Sequence, residues 1–220
     1  HQRSGVSRRG SVLITDHAND GSFLARVPFY GSTNPSTGER MTEFQRHAAE
    51  LAFEASATAL SESGVAVEAI THLITVCCTG FEAPGVDLAL IERLGLRADV
   101  QRTHVGFMGC HAALNGLRVA RAFAEADADA VVLICCVELC SLHLQYGGDP
   151  EQVVANALFA DGAAAVVASA QRPISFPALV LETNGSTVIP GSAGLMHWRI
   201  ADHGFSMGLS PQVPQTVAQA

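Results

Sequence analysis

A recurring order of elements limits the fold more than any other feature of this chain. Three runs, Thr71 to Cys78, Thr103 to Met108 and Ala130 to Val137, are largely apolar, and the last carries no polar residue. A strand that does not alternate between apolar and polar residues is covered on both faces. Each run precedes a stretch with helical character. Val86 to Leu94 is closed by Gly95, a small-residue pattern follows Cys110, and Asp149 stands before Pro150 as a helix cap. A long helix comes first, starting near Met41. Phe44, Ala48, Leu51, Ala52, Ala55, Ala59 and Leu60 fall on one of its stripes, Thr42 with Gln45 resembles a capping box, and Gly64 ends it. Buried strands alternating with helices predict an α/β fold with helices layered around a mostly parallel sheet. Gly162 to Ala170 and Ala178 to Asn184 read as two more strands, paired with each other. Pro211 to Ala220 reads as a last helix.

In such sheets, functional residues collect beyond the carboxyl ends of the strands. Gly109-Cys110 occupies such an end, and the loops after Cys78 and Val137 are expected on the same side. A thiol at a helix start faces unpaired N–H groups. Those donors and the helix dipole favour a thiolate, which is a good nucleophile. His111 is a poor partner for it, because adjacent residues at a helix start point apart. The other candidate polar groups are Glu138 and several histidines. Glu138, at a strand end, is either solvated or hydrogen-bonded and buried.

Composition excludes several classes. Lys and Arg total 13 against 21 Asp and Glu, a net charge of −8, which argues against nucleic acid as a partner. At 48% hydrophobic and 15% charged, the chain has the makings of a packed core. No apolar run reaches the length of a membrane span. The six cysteines show no C-x-x-C spacing, so they read as reduced thiols without a metal site, in a cytoplasmic setting. The first ten residues, with Arg3, Arg8 and Arg9, form either a solvated arm or the edge of an anion-binding mouth.

Three segments carry a resemblance. They are Thr71-His-Leu-Ile-Thr-Val-Cys-Cys78-Thr-Gly-Phe-Glu-Ala-Pro84-Gly85-Val-Asp87, Arg102-Thr-His-Val-Gly-Phe-Met-Gly109-Cys110, and Ala157-Leu-Phe159-Ala-Asp161-Gly162-Ala-Ala-Ala165. In order and spacing they resemble the type III polyketide synthases, the chalcone synthase-like branch of the thiolase superfamily. Weaker similarity reaches back to Ser4 and forward through Gly194-Leu-Met-His197-Trp-Arg199 to Phe205. The resemblance implies the first, N-terminal half of a thiolase-like fold over residues 1–220. It implies an acyltransferase that loads an acyl group from acyl-coenzyme A onto a cysteine. Malonyl-coenzyme A then extends that group by decarboxylative Claisen condensation.

By match, Cys110 is the nucleophile, and Phe159 and Phe205 are gatekeepers. Cys78, Glu138, Cys140, His143 and Met196 line the substrate cavity. Ala83 lies at a homodimer interface, and Arg3 is a basic contact for coenzyme A. Coenzyme A thioesters are substrates, and no further cofactor is implied. The family also uses a histidine and an asparagine from its C-terminal half. Neither motif occurs in these residues, so the chain reads as a fragment with little polyketide-forming activity. Cys78, Cys140 and His143 replace threonines typical of plant chalcone synthases, which implies a differently shaped cavity. Two other readings are a ketoacyl synthase that starts fatty-acid synthesis and a non-catalytic acyl-thioester or ligand-binding protein.

Overall fold

A computed structural model of the protein describes residues 5–14, 27–31, 33–171 and 178–219. The chain forms two compact units. One comprises His1–Phe44, Leu139–Asp161 and Thr187–Ala220, and the other comprises Gln45–Glu138 and Gly162–Ser186.

The second unit is built on a four-stranded sheet. Its strands are β1 (His72–Cys77), β2 (Gln101–Gly106), β3 (Val131–Leu139) and β4 (Asp161–Ser169), in the order β2-β1-β3-β4. β1 runs parallel to both β2 and β3, with Ile74 opposite Thr103 on one side and Ile134 on the other. All six residues of β1 are buried, as expected for a central strand covered on both faces. The helices are α1 (Thr37–Ser63), whose residues 37–44 belong to the first unit, α2 (Val86–Leu94) and α3 (Ala112–Ala126). Gly95 closes α2 in the left-handed conformation, as its position after the last apolar residue predicts.

α3 packs closely on the sheet. Its Ala112 and Ala120 join Ile74, Val76, Val132 and Ile134 in one buried cluster. Gly116 allows this approach, since a Cβ there would stand 3.3 Å from Val76 Cγ2 and 3.4 Å from Ile134 Cγ2.

α1 begins one turn earlier than its apolar stripe indicates. Ser36 Oγ accepts from the Glu39 backbone N–H at 3.3 Å, and the Glu39 carboxylate accepts from the Ser36 N–H and hydroxyl, both at 2.7 Å. That is the true capping box. The Thr42 hydroxyl instead donates back to the Gly38 carbonyl. The polar first turn, with a glycine in it, hides this start from a reading based on periodicity.

Residues 178–184 form no regular strand, contrary to expectation, and β4 pairs with β3 instead. Leu179 is fully exposed and Val180 largely so. An apolar run without alternation fixes neither a face nor a partner, so composition alone misleads here.

The first unit contains α4 (Pro150–Leu158), the antiparallel hairpin β5 (Met196–Ala201) and β6 (Gly204–Leu209), and α5 (Val213–Ala218). Asp149 Oδ1 accepts from the Gln152 N–H at 3.0 Å, so the expected cap at Pro150 is present. The Leu209 N–H is held by the Glu151 carboxylate at 2.8 Å, tying β6 to α4. The hairpin has a mixed polar sequence with no clean alternation, so its strands are not visible in the amino-acid pattern. No helix among the described residues is long and apolar enough to cross a membrane.

Gly116→Val tests the close packing of α3. Overpacking at this contact is expected to lower unfolding stability by about 1–3 kcal/mol. The check is a urea midpoint that shifts at constant slope. An unchanged midpoint contradicts the packing described.

Candidate active site

The site is assembled at the carboxyl ends of β1, β2 and β3. After Gly106 the chain turns sharply. Phe107 has φ 53° and Gly109 has φ 73°, both in the left-handed region. A glycine adopts this at little cost, whereas a phenylalanine costs about 1–2 kcal/mol. The Phe107 N–H donates to the Cys77 carbonyl at 3.4 Å, which continues the β1–β2 ladder into the turn. Its ring meets Phe81 edge to face, with centroids 6.3 Å apart. A 3-10 turn, Gly109–His111, follows, and α3 starts at Ala112. Cys110 therefore stands in the tight turn before the helix rather than in the helix itself, and it is exposed.

Glu138, near the end of β3, organises the neighbouring strand end. Its carboxylate accepts from the Cys78 N–H at 2.9 and 3.1 Å and from the Thr79 hydroxyl at 2.6 Å. The Cys77 thiol donates to it at 3.7 Å. The Cys78 thiol in turn points at the Gly109 carbonyl, 3.9 Å away. One connected set of contacts thus runs from β3 through the loop after β1 to the turn that carries Cys110. The strand-end carboxylate is hydrogen-bonded rather than solvated. Thr79 is the member that sequence reasoning missed, because a lone threonine after two cysteines carries no signal of its own.

Burial sets the electrostatics. It pushes the Glu138 carboxyl above its usual value, while the bonds from Thr79, Cys78 and Cys77 pull the other way. Burial, with the Glu138 charge adding to it, lifts the Cys77 thiol to about 12. Burial also lifts Cys78 and Cys136, and takes Cys135 to about 11. None of the six cysteines is in a disulfide. The histidines His104 and His197 have structural surroundings. His104 Nδ1 pairs with the Thr75 hydroxyl at 2.9 Å, and the His197 ring covers Gly208 across the hairpin. Among the described residues, no group of three or more His, Cys, Asp or Glu is arranged to hold a metal ion.

Other residues assigned by the resemblance belong to the first unit. Cys140 and His143 lie in a 3-10 turn, Cys140–His143. His143 is buried and its Nδ1 accepts from the Phe205 N–H at 3.0 Å. The two rings stack with centroids 4.1 Å apart, and Trp198 meets both edge to face. Phe205 has no exposed surface, and Met196, on the same hairpin, is exposed. Phe159 is half-buried at the end of α4, where its carbonyl accepts from the Arg9 guanidinium at 3.4 Å. The arm around Arg9 is therefore tied down rather than merely solvated.

Asp161 accepts from the Val12 N–H and from both the N–H and hydroxyl of Ser141, at 2.6 to 2.8 Å. In the sequence, Asp161 stands in a Phe159-Ala-Asp161-Gly162 break after a helix, with no signal of these partners. Ala83 is exposed and joined to Pro84 by a cis peptide. Arg3 lies outside the described residues. The structure thus gathers Cys110, Cys78 and Glu138 in one unit, and Cys140, His143, Phe205 and Met196 in the other.

Comparison with known proteins adds a family signal. The family model "Chalcone and stilbene synthases, N-terminal domain" matches residues 23–172. Type III polyketide synthase C of Arabidopsis thaliana is 34% identical over 187 residues, covering 84% of this chain and 49% of that protein. The alpha-pyrone synthesis polyketide synthase-like protein of Mycobacterium tuberculosis is 34% identical over 179 residues, 80% of this chain and 46% of that protein. The crystal structure of the C-terminal type III polyketide synthase domain of Steely1, a type I/III hybrid from Dictyostelium, superposes with a TM-score of 0.80. It shares 31% identity and covers 84% of this chain and 51% of that one. The chain spans about half the length of these relatives.

Two outcomes are expected of this site. At pH 8, limiting iodoacetamide labels Cys110 ahead of the other five cysteines, while Cys77 and Cys135 stay unlabelled until unfolding. Peptide mapping that finds Cys77 or Cys135 labelled first contradicts the geometry. The second outcome concerns Glu138. Its folded pKa is raised, so ionisation costs native-state stability as pH climbs above the ordinary value of 4.5. The stability of the wild type minus that of Glu138→Gln is expected to fall as pH rises from there. A flat or rising difference in urea titrations contradicts it.

Proposed function

The chain belongs to the chalcone and stilbene synthases, the type III polyketide synthase family, by its N-terminal domain, and from that premise we propose that Cys110 is an acyl-accepting nucleophile fed by coenzyme A thioesters. The exposed thiol in a strained turn at the converging ends of three strands carries this reading. The thiolate attacks the thioester carbonyl of an acyl-coenzyme A. A C–S bond forms to Cys110, the bond to coenzyme A breaks, and coenzyme A leaves as a thiol after taking a proton. In a whole enzyme of this family, malonyl-coenzyme A then loses carbon dioxide. The resulting enolate carbon attacks the acyl-cysteine carbonyl, forming the new C–C bond and releasing the Cys110 thiolate. Backbone N–H groups of a tight turn are suited to holding the oxyanion that develops in each step.

Cys78 and Glu138 are assigned to the substrate surface beside Cys110. Cys140, His143, Phe205 and Met196 are assigned to the surface that shapes acyl specificity, and Phe159 to a gate. Arg3 is proposed to contact coenzyme A, and Ala83 to meet a second copy in a homodimer. Six cysteines outside any disulfide fit a reducing, cytoplasmic setting.

The test is intact-mass spectrometry after incubation with an acyl-coenzyme A. One hydroxylamine-labile acyl group per chain, mapped to Cys110 and lost in Cys110→Ala, is expected. Coenzyme A donors are expected to outperform acyl-carrier-protein donors. No adduct, or an adduct that persists in Cys110→Ala, overturns the reading. A preference for carrier-protein donors points instead to a ketoacyl synthase.

A further inference from the structure

Arg40, in the first turn of α1, has no exposed surface. Burial of a charge is costly, and its usual compensation is a carboxylate. Among the described residues, the acceptors of the guanidinium are all neutral. Nε donates to the Pro35 carbonyl at 2.9 Å, and Nη2 donates to Asn34 Oδ1 at 2.6 Å. Nη1 donates to the Leu142 carbonyl at 2.5 Å, the Leu144 carbonyl at 3.0 Å and the Tyr30 hydroxyl at 3.1 Å. Burial accordingly lowers the Arg40 pKa from its usual value.

The two carbonyls held by Nη1 flank His143. The adjoining residue, Ser141, is held through the same Tyr30 hydroxyl and through Asp161. Its carbonyl accepts from the Tyr30 hydroxyl at 2.6 Å, and its N–H donates to Asp161. The same guanidinium also packs against Gly204, where a Cβ would fall 2.8 to 3.0 Å from Arg40 Cδ, Nε and Cζ. Gly204 directly precedes Phe205. Arg40 therefore touches, on two sides, the segments that deliver His143 and Phe205 to their stacked pair.

We infer that Arg40 is a positioning residue for acyl specificity: its buried guanidinium sets the turn at 140–144 and the start of β6, and so the placement of His143 against Phe205. This rests on the proposed function only in taking His143 and Phe205 as part of the acyl-binding surface. A planar five-donor fork meets these divergent acceptors, whereas the single ammonium of lysine cannot. Asn34, Tyr30 and the three carbonyls would be left to re-pair in Arg40→Lys, and the turn is free to shift.

The experiment uses Arg40→Lys and Tyr30→Phe. The second removes one hydroxyl and keeps the ring, so it folds even where the first does not. Far-UV circular dichroism checks each fold. The chain has a single tryptophan, and Trp198 packs on both His143 and Phe205, so its emission and acrylamide quenching report the cluster directly. Acylation of Cys110 is then compared for a short and a long acyl-coenzyme A. In Arg40→Lys the ratio of the two kcat/KM values is expected to change by about tenfold. The altered ratio is expected to come with altered Trp198 quenching and an unchanged iodoacetamide rate at Cys110. Tyr30→Phe is expected to move both readouts in the same direction, by less. An unchanged ratio in a folded variant overturns the inference, as does a changed ratio with unaltered Trp198 quenching. If the wild type itself is not acylated at Cys110, the proposed function fails. Unaltered Trp198 quenching in both variants then overturns the positioning role separately.

Discussion

The Glu138 carboxylate is the interaction on which the candidate site depends. It stands near the end of β3 and gathers the backbone of Cys78 and the hydroxyl of Thr79 from the loop after β1. A hydrogen bond to a charged acceptor is roughly twice as strong as a neutral one, and leaving its donors unpaired in a half-buried place costs more than the bond gains. Parallel strands have no hairpin to fix their ends relative to one another. A side chain that reaches sideways across β3 and β1 supplies that link. The Cys78 thiol passes it on to Gly109, the residue before Cys110. The strained Phe107–Gly109 backbone is thereby supported on one side by ladder hydrogen bonds and on the other by this carboxylate-anchored loop. Strain of this kind persists only where the surroundings over-determine it.

The first unit solves a similar problem with a cation. A turn of only a few residues exposes carbonyls that no helix or strand can satisfy. Arg40 and Tyr30 donate to these carbonyls one by one, and Asp161 accepts from the Ser141 N–H, so the turn holds a single shape without being part of a regular element. The neutral acceptors around Arg40 add less stability than a carboxylate would. What they add is direction, because each accepts along a different line from one rigid plane.

The sequence made the strand-helix order, the central strands and Cys110 legible, for a physical reason. Covered strands such as β1 and β3 need continuous apolar residues, and Gly109 and Gly116 mark the places where backbone must turn or approach closely. Signals that depend on partners distant in sequence were not legible. Arg40 looks like any arginine near a helix start until residues 142 and 144 are folded against it. Asp161 looks like a helix stop until Ser141 and Val12 reach its carboxylate. The β5–β6 hairpin carries no alternation, because its faces are set by His197 over Gly208 and by Phe205 beneath His143. Residues 178–184 fail in the opposite way. Their apolar composition suggested a strand, but no neighbouring strand offers a register for them.

The claim that Glu138 anchors the nucleophile-bearing turn is tested most directly by residue-resolved amide hydrogen exchange in the wild type and Glu138→Ala. The Cys78 N–H loses its acceptor in the variant, and the Phe107 N–H, bonded to Cys77, loses the support of a fixed strand end. Exchange at Cys78 is predicted to be faster by about tenfold or more, the equivalent of losing one charge-assisted hydrogen bond. Phe107 is predicted to follow in the same direction, while Ile74 in mid-strand stays protected. Equal exchange at Cys78 and Phe107 in the two proteins would contradict the claim.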